Sequence, residues 1–277
     1  MKCREATDDR HGLENTEIPY FSKYVQEGAY HWKFTYPRRR RKSNPRRHAF
    51  YDVPLDVVCR KLKRPLRTMT GLDLGCGDGV LLYKALSQGS RIIGIDSNLR
   101  GLIIALEEIG KRIAAVPLVL NASCYELPLR SNVFDFITSV ELIEHLLHDE
   151  NFVRECARVL RPGGIFVCTT PRKSLNAADL HDPYHEREYI PSELYEVLSV
   201  SFEEVEILGL HPGWLDWLYR GIHQRLLQRL LRSCLKIVSA LWNPYRHFIS
   251  FNADDRTTCA TLIGVGRKPL SLNARSG

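Results

Sequence analysis

The sequence has no pair of cysteines spaced to hold a metal or to staple a small fold. Its eight cysteines (Cys3, Cys59, Cys76, Cys124, Cys156, Cys168, Cys234 and Cys259) are scattered over 277 residues, with no C-x-x-C among them. That argues against a disulfide framework and a structural zinc site, and for reduced thiols in a cytoplasmic protein. No apolar run approaches the roughly 18–20 residues that a spanning helix needs, and the opening MKCREATDDRHG lacks the apolar core of a secretory signal. Internal repeats are absent as well. Acids are missing from residues 38–47, RRRRKSNPRR, whose seven cations equal the entire net charge of +7. A second basic excess lies in 210–250, where Arg220, Arg225, Arg229, Arg232, Lys236 and Arg246 face only Asp216. The remainder is slightly acidic, so the charge forms two patches rather than the broad coat of a general nucleic-acid binder.

What is present is an alternation of short β-branched runs with longer helical patterns. Residues 1–50 read as an arm, aromatic from Tyr20 to Tyr36 and then basic; 51–277 read as one domain carrying an insertion at 211–256. "VPLDVVCRKL" predicts a short helix at about 53–63. Strands are expected at 70–76, 91–96, 114–120, 133–140, 165–170, 202–210 and 258–268. Helices are expected at about 98–112, at 149–160 up to the breaker Arg161-Pro162-Gly163-Gly164, and at 191–199 behind Pro191. Apolar strands alternating with helices imply an α/β fold: a Rossmann-like, doubly wound, seven-stranded and mostly parallel sheet with helices on both faces.

"LDLGCGDG" (72–79) places Gly75, Gly77 and Gly79 directly after the first strand and at the start of a helix. Glycines let backbone approach a ligand, and a helix N-terminus offers unpaired N–H groups. A dinucleotide loop would need glycine where Val80 stands. Asp73 and Asp78 flank the loop; they would repel a pyrophosphate and suit a ligand carrying an ammonium and a sulfonium. Asp96, 17 residues past Gly79 at the end of the second strand, is placed to accept ribose hydroxyls. These features together favour a cationic nucleoside, S-adenosylmethionine.

At this point the sequence resembles the class I S-adenosylmethionine-dependent methyltransferases. The resemblance covers about 50–210 and again 257–267, through "LDLGCGDG", "GIDSN" (94–98), "ELPLRSNVFDFI" (126–137), "VLRPGGIFVCTTP" (159–171) and the last strand. It implies that Asp73, Gly75, Cys76 and Gly77 hold the methionine part of the cofactor, and that Asp96 and Ser97 hold the ribose and adenine side. Ser123 and Cys124 stand where the family often has an acid near the adenine amine.

"SVELIEHLLHDE" (139–150) follows the fourth strand with Glu141, Glu144 and His145. If helical, these occupy i, i+3 and i+4 on one face. "LHDPYHEREY" (180–189) adds His181 and His185. The pattern resembles metal-dependent O-methyltransferases of ubiquinone biosynthesis and 3′-terminal 2′-O-methyltransferases of small RNAs. That resemblance implies a site for Mg2+ or another divalent cation made by Glu141, Glu144, His145 and His185, with His185 the better match. Three roles stay open to the cluster: a metal site, metal-free positioning and proton transfer, or structure alone.

Trp214, Trp217 and Trp242 lie near paired leucines and the cationic series Arg225, Arg229, Arg232 and Lys236. Segment 212–245 fits a lid over the domain, or a basic amphipathic surface in peripheral contact with a membrane. The basic run at 38–47 holds no aromatic to stack a base, which ranks nucleic acid below a small-molecule acceptor as partner. The expected activity is methyl transfer to an oxygen. The RNA enzyme and a non-catalytic S-adenosylmethionine-binding subunit are the alternatives.

Overall fold

The computed structural model describes residues 22–36, 45–114, 116–173, 185–212, 253–256 and 259–270. The basic residues 38–44, His181 and the tryptophans and cationic series of 213–252 lie outside the described residues, as do Tyr20 and Phe21.

Seven strands form one sheet: β1 (Thr70–Leu74), β2 (Arg91–Asp96), β3 (Leu118–Asn121), β4 (Phe134–Val140), β5 (Leu160–Pro171), β6 (Glu203–Pro212) and β7 (Cys259–Arg267). Their order is β3-β2-β1-β4-β5-β7-β6. The first five run parallel, and β7 is antiparallel to both β5 and β6. Chain order reverses between β1 and β4, and such a switch point opens a crevice at the carboxyl ends of the strands.

The central strands are apolar on both faces because helices cover both. On one side α3 (Pro45–Leu62), α4 (Val80–Ser87) and α5 (Leu99–Gly110) enclose Val53, Leu82, Ala105, Phe136 and Val167. On the other, α6 (Asp149–Val159) and α7 (Pro191–Ser199) enclose Leu72, Ile137, Phe152, Phe166 and Leu198. In α6, Phe152, Val153, Cys156 and Val159 are buried at helical spacing. The cap of α5 is Asn98, whose side chain accepts the N–H of Gly101 at 2.9 Å. At α7, Pro191 occupies the first turn and Glu193 accepts the N–H of Ile190 at 3.0 Å.

Three expectations shift. The helix expected at 53–63 begins at Pro45 and runs across Pro54. Leu55, Val57 and Val58 are at most 1 % exposed, and burying such side chains contributes about 1.5–3 kcal/mol each. That outweighs the roughly 3 kcal/mol of an internal proline. A boundary at residue 50 therefore falls inside a continuous element. The third strand is shorter than 114–120 and starts at Leu118. The glycine-rich breaker does end α6, but β5 already starts at Leu160. Phe134 pairs with Leu160 and Phe136 with Ile165, so Arg161–Gly164 bulge out of register.

Ahead of the sheet, α1 (Ser22–Gln26) and α2 (Tyr30–Thr35) pack on α5 and on α3 and α4. Trp32 is 2 % exposed and belongs to the core, with the Arg112 guanidinium 4.2 Å from the centre of its ring. Among the described residues, no helix is long and apolar enough to cross a membrane.

Candidate functional site

The carboxyl ends of β1, β2 and β4 open into a cleft of about 280 Å³. Gly75, Gly77 and Gly79 all adopt positive φ, at 70°, 51° and 84°, a region that side chains make costly. The turn needs glycine for space too. A Cβ on Gly77 would collide with the Tyr24 hydroxyl, and one on Gly79 would lie 2.7 Å from the Ala105 Cβ.

Asp73 sits on β1 opposite Thr138 of β4. Thr138 Oγ1 donates to Asp73 Oδ1 at 3.0 Å, while Asp73 Oδ2 is buried with no hydrogen-bond partner among the described residues. Burial, opposed by the Thr138 hydrogen bond and reinforced by the charge of Asp96, pushes the Asp73 carboxyl up to about 8. An acceptor turned into a cleft without a donor suits a ligand that brings its own N–H cation. Asp96 accepts the N–H of Gly77 and of Asn98, both at 2.7 Å. These bonds tie the glycine loop to the end of β2, and burial still raises the carboxyl above its ordinary value.

Asp78 lines the cleft and also holds the arm. Its Oδ2 accepts the backbone N–H of His31 at 2.8 Å, its Oδ1 lies 3.0 Å from His31 Nδ1, and its carbonyl accepts the Trp32 Nε1–H at 2.5 Å. The carboxylate expected to suit a cationic ligand thus has both oxygens engaged by His31 of the arm. Of the arm's aromatics Tyr24 and Tyr30 line the cleft, and Lys23, His31, Phe50 and Tyr51, which sequence reading did not single out as site residues, stand in the same wall. No local pattern marks them, since His31 and Asp78 are 47 residues apart.

The remaining cofactor candidates divide. Gly75, Cys76 and Gly77 line the cleft. The Cys76 sulfur is directed at Gly94 of β2, and burial, with nearby carboxylates, holds its thiol well above its usual range. It would serve through backbone only. Ser97 and Ser123 are exposed and Cys124 is half-buried; none of the three lines the cleft. The Ser97 carbonyl accepts from Asn121 Nδ2 at 2.8 Å, and Ser123 Oγ accepts the N–H of Tyr125 at 3.2 Å.

The segment after β4 is not the expected α-helix. Glu141 takes φ +52°, and Ile143–His145 make a single 3-10 turn. The Glu141 N–H donates to the Thr169 carbonyl at 3.0 Å, and Thr169 Oγ1 donates to Glu141 Oε1 at 3.0 Å. Pairing with β5 thus turns Glu141 away from the shared helical face. Candidate metal-binding atoms of Glu144, His145 and His185 do converge, all within 4.8 Å of one another, without Glu141. Both Glu144 carboxylate oxygens are buried with no hydrogen-bond partner among the described residues. Burial, then the charge of Glu141, holds this carboxyl well above the usual range. The His145 and His185 rings meet edge to face, with centroids 5.0 Å apart. Two imidazoles and a carboxylate could hold a divalent cation or pass a proton.

Residues 72–168 match the family model described as a methyltransferase domain. A probable S-adenosylmethionine-dependent methyltransferase of Mycolicibacterium smegmatis is 32% identical over 162 residues, covering 57% of this chain and 61% of that protein. A ubiquinone biosynthesis O-methyltransferase of Rhizobium etli is 31% identical over 146 residues, covering 50% of this chain and 57% of that protein. The chain thus spans about three-fifths of these curated relatives. Among solved structures, a Haemonchus contortus phosphoethanolamine N-methyltransferase with S-adenosylhomocysteine superposes at TM-score 0.60 and 18% identity, covering 91% of this chain and 60% of that one. A methyltransferase of Haloferax volcanii, in complex with the activator Trm112, superposes at 0.57 and 19%, covering 90% and 97%. At such identities the likeness is one of fold.

Proposed function

We propose that the chain is a class I, S-adenosylmethionine-dependent methyltransferase that methylates an oxygen of a small acceptor; residues 72–168 match a methyltransferase domain, and relatives 32% and 31% identical are methyltransferases. Bound in the cleft, S-adenosylmethionine would supply the methyl group: its carbon would leave sulfur for the acceptor oxygen, the hydroxyl proton would be lost and S-adenosylhomocysteine would be released. Asp73 and the glycine loop would hold the methionine end, with Asp96 toward the ribose. In-line displacement on an activated methyl depends mainly on orientation, which can supply about 7–11 kcal/mol. The acceptor's proton is a separate demand. One observation carries the reading: the carboxyl of Glu144, buried with no hydrogen-bond partner for its oxygens among the described residues, beside His145 and His185 in the same cleft as Asp73.

Two uses of that trio are consistent with its chemistry. As a general base it would contribute about 10²–10⁴-fold. Glu144, His145 and His185 would also suit Mg2+ or a similar ion, which when bound lowers the pKa of a coordinated hydroxyl. The ubiquinone biosynthesis O-methyltransferases among the relatives favour oxygen as acceptor atom.

The test has two parts. Calorimetry should show binding of S-adenosylmethionine, and labelled methyl should pass into a hydroxyl-bearing metabolite of a cell extract, identified by mass spectrometry with and without a chelator. Glu144→Gln should leave cofactor affinity within about threefold and reduce transfer by 10²-fold or more. Label found on nitrogen or carbon, or full transfer by Glu144→Gln, overturns the reading.

A further inference from the structure

His185 has a partner that the trio itself does not explain. Its Nδ1 lies 3.1 Å from Glu188 Oε1, and the two side chains are only 10% and 16% exposed. A neutral imidazole carries one N–H, and an ionised carboxylate only accepts. The contact therefore places the proton on Nδ1 and the lone pair on Nε2. A histidine that binds a cation or takes a proton needs a lone pair on the nitrogen that faces the cleft.

We propose that Glu188 is a positioning residue: it fixes the tautomer and ring angle of His185, so that Nε2 is the nitrogen offered to Glu144, His145 and whatever they hold. The inference rests on the reading of the trio given above. It makes Glu188 the outer carboxylate of a carboxylate–histidine pair, an arrangement that orients ligands and raises their basicity.

A merely structural role is the competing account, and the local bonding argues against it. The segment is already fastened without Glu188. The N–H groups of Glu186 and Arg187 donate to the Glu144 carbonyl at 2.8 and 3.1 Å. Arg187 pairs with Asp149 at 3.1 Å, and the Tyr189 hydroxyl donates to the same carboxylate at 2.8 Å. Lys173 N–H adds a bond to the Tyr189 carbonyl at 2.9 Å. With five other bonds holding 185–189, losing the Glu188 side chain should cost orientation of the ring and little of the fold.

Tautomer state is measurable without cofactor, metal or turnover. Long-range proton–nitrogen NMR of the ¹⁵N-histidine protein at about pH 8.5, two units above the ordinary imidazole value, should show His185 protonated on Nδ1. Glu188→Ala should shift it toward the Nε2–H form. Glu188→Gln, whose amide oxygen can still accept, should keep the wild-type pattern. Titration with Mn2+ or Co2+ gives a second readout: Glu188→Ala weakened about 10–100-fold, Glu188→Gln within about threefold of wild type, and the exposed control Glu203→Gln unchanged. An Nε2–H tautomer in the wild type, or an unchanged tautomer in Glu188→Ala, overturns the proposal. Absence of metal binding and transfer alongside the expected tautomers would instead count against the function proposed for the trio.

Discussion

Asp73 concentrates the electrostatic problem of the cleft in one side chain. Its carboxyl is pushed up to about 8 from an ordinary 3.8, chiefly by burial. Below about pH 4 the folded and unfolded chains both keep the proton, and the group costs nothing. As pH rises toward 8 the unfolded chain ionises it while the folded chain holds the proton, so its share of stability is lost until the folded carboxyl ionises as well. Thermal unfolding without cofactor, followed from about pH 5 to about pH 9, should show a midpoint that falls with pH. In Asp73→Asn the fall should be shallower, and an unchanged slope would mean that the carboxyl is not held protonated. Lys23 raises the opposite question. Among the described residues lining the cleft it is the one lysine or arginine, in a lining that also holds Asp73, Asp96, Glu141 and Glu144. A cofactor with a carboxylate should seek it. Lys23→Met should weaken S-adenosylmethionine binding about 10-fold or more, the worth of a charge-assisted hydrogen bond. Binding of the decarboxylated analogue should not change, and equal losses for both ligands would remove Lys23 from that role.

At the scale of elements, α2 is more than a cover. Its Trp32 is buried, donates to the Asp78 carbonyl and lies under Arg112, so the wall of the cleft shares the core that supports the sheet. Trp32→Ala should cost about 3–5 kcal/mol, read as a lower urea midpoint with little change in slope. A cost under about 1 kcal/mol would mean that α2 only rests on the surface. Elements held by local chemistry could be read directly from the sequence. β2 and α7 have the bounds that alternation and the Pro191 start implied, and three alternating glycines located the loop. What failed depended on distant contacts. The helix expected at 53–63 starts at Pro45 instead, because the chain ahead of Pro54 packs Ala49 into the core as well. That Asp78 also fastens the arm is invisible in the sequence, because His31 lies 47 residues earlier. Glu141 completes a helical face on paper, but pairing with Thr169 turns the backbone to φ +52° before any helix can start.

For the molecule as a whole, the crevice at the β1–β4 switch is a site only because the chain before the sheet closes it. Glycine loop and Asp73 come from the sheet; Lys23, Tyr24, Tyr30, His31 and Phe50 come from the segment that precedes it. Domain and arm should therefore fold as one unit, and two truncations separate this from a detachable arm. A chain beginning at Pro45 keeps α3, with Val53, Leu55, Val57 and Val58 buried at 1 % or less, and loses the wall and Trp32. It should unfold cooperatively at a lower temperature and bind S-adenosylmethionine at least about 10-fold more weakly, since charge-assisted contacts of 1.5–3 kcal/mol are removed. A chain beginning at residue 51 also loses Pro45–Phe50, the first part of α3 with its buried Ala49, and should melt lower still or aggregate. If that shorter chain instead matched the full chain in melting temperature and cofactor affinity, α1 and α2 would be accessories, and the cleft would have to be assigned to the sheet alone.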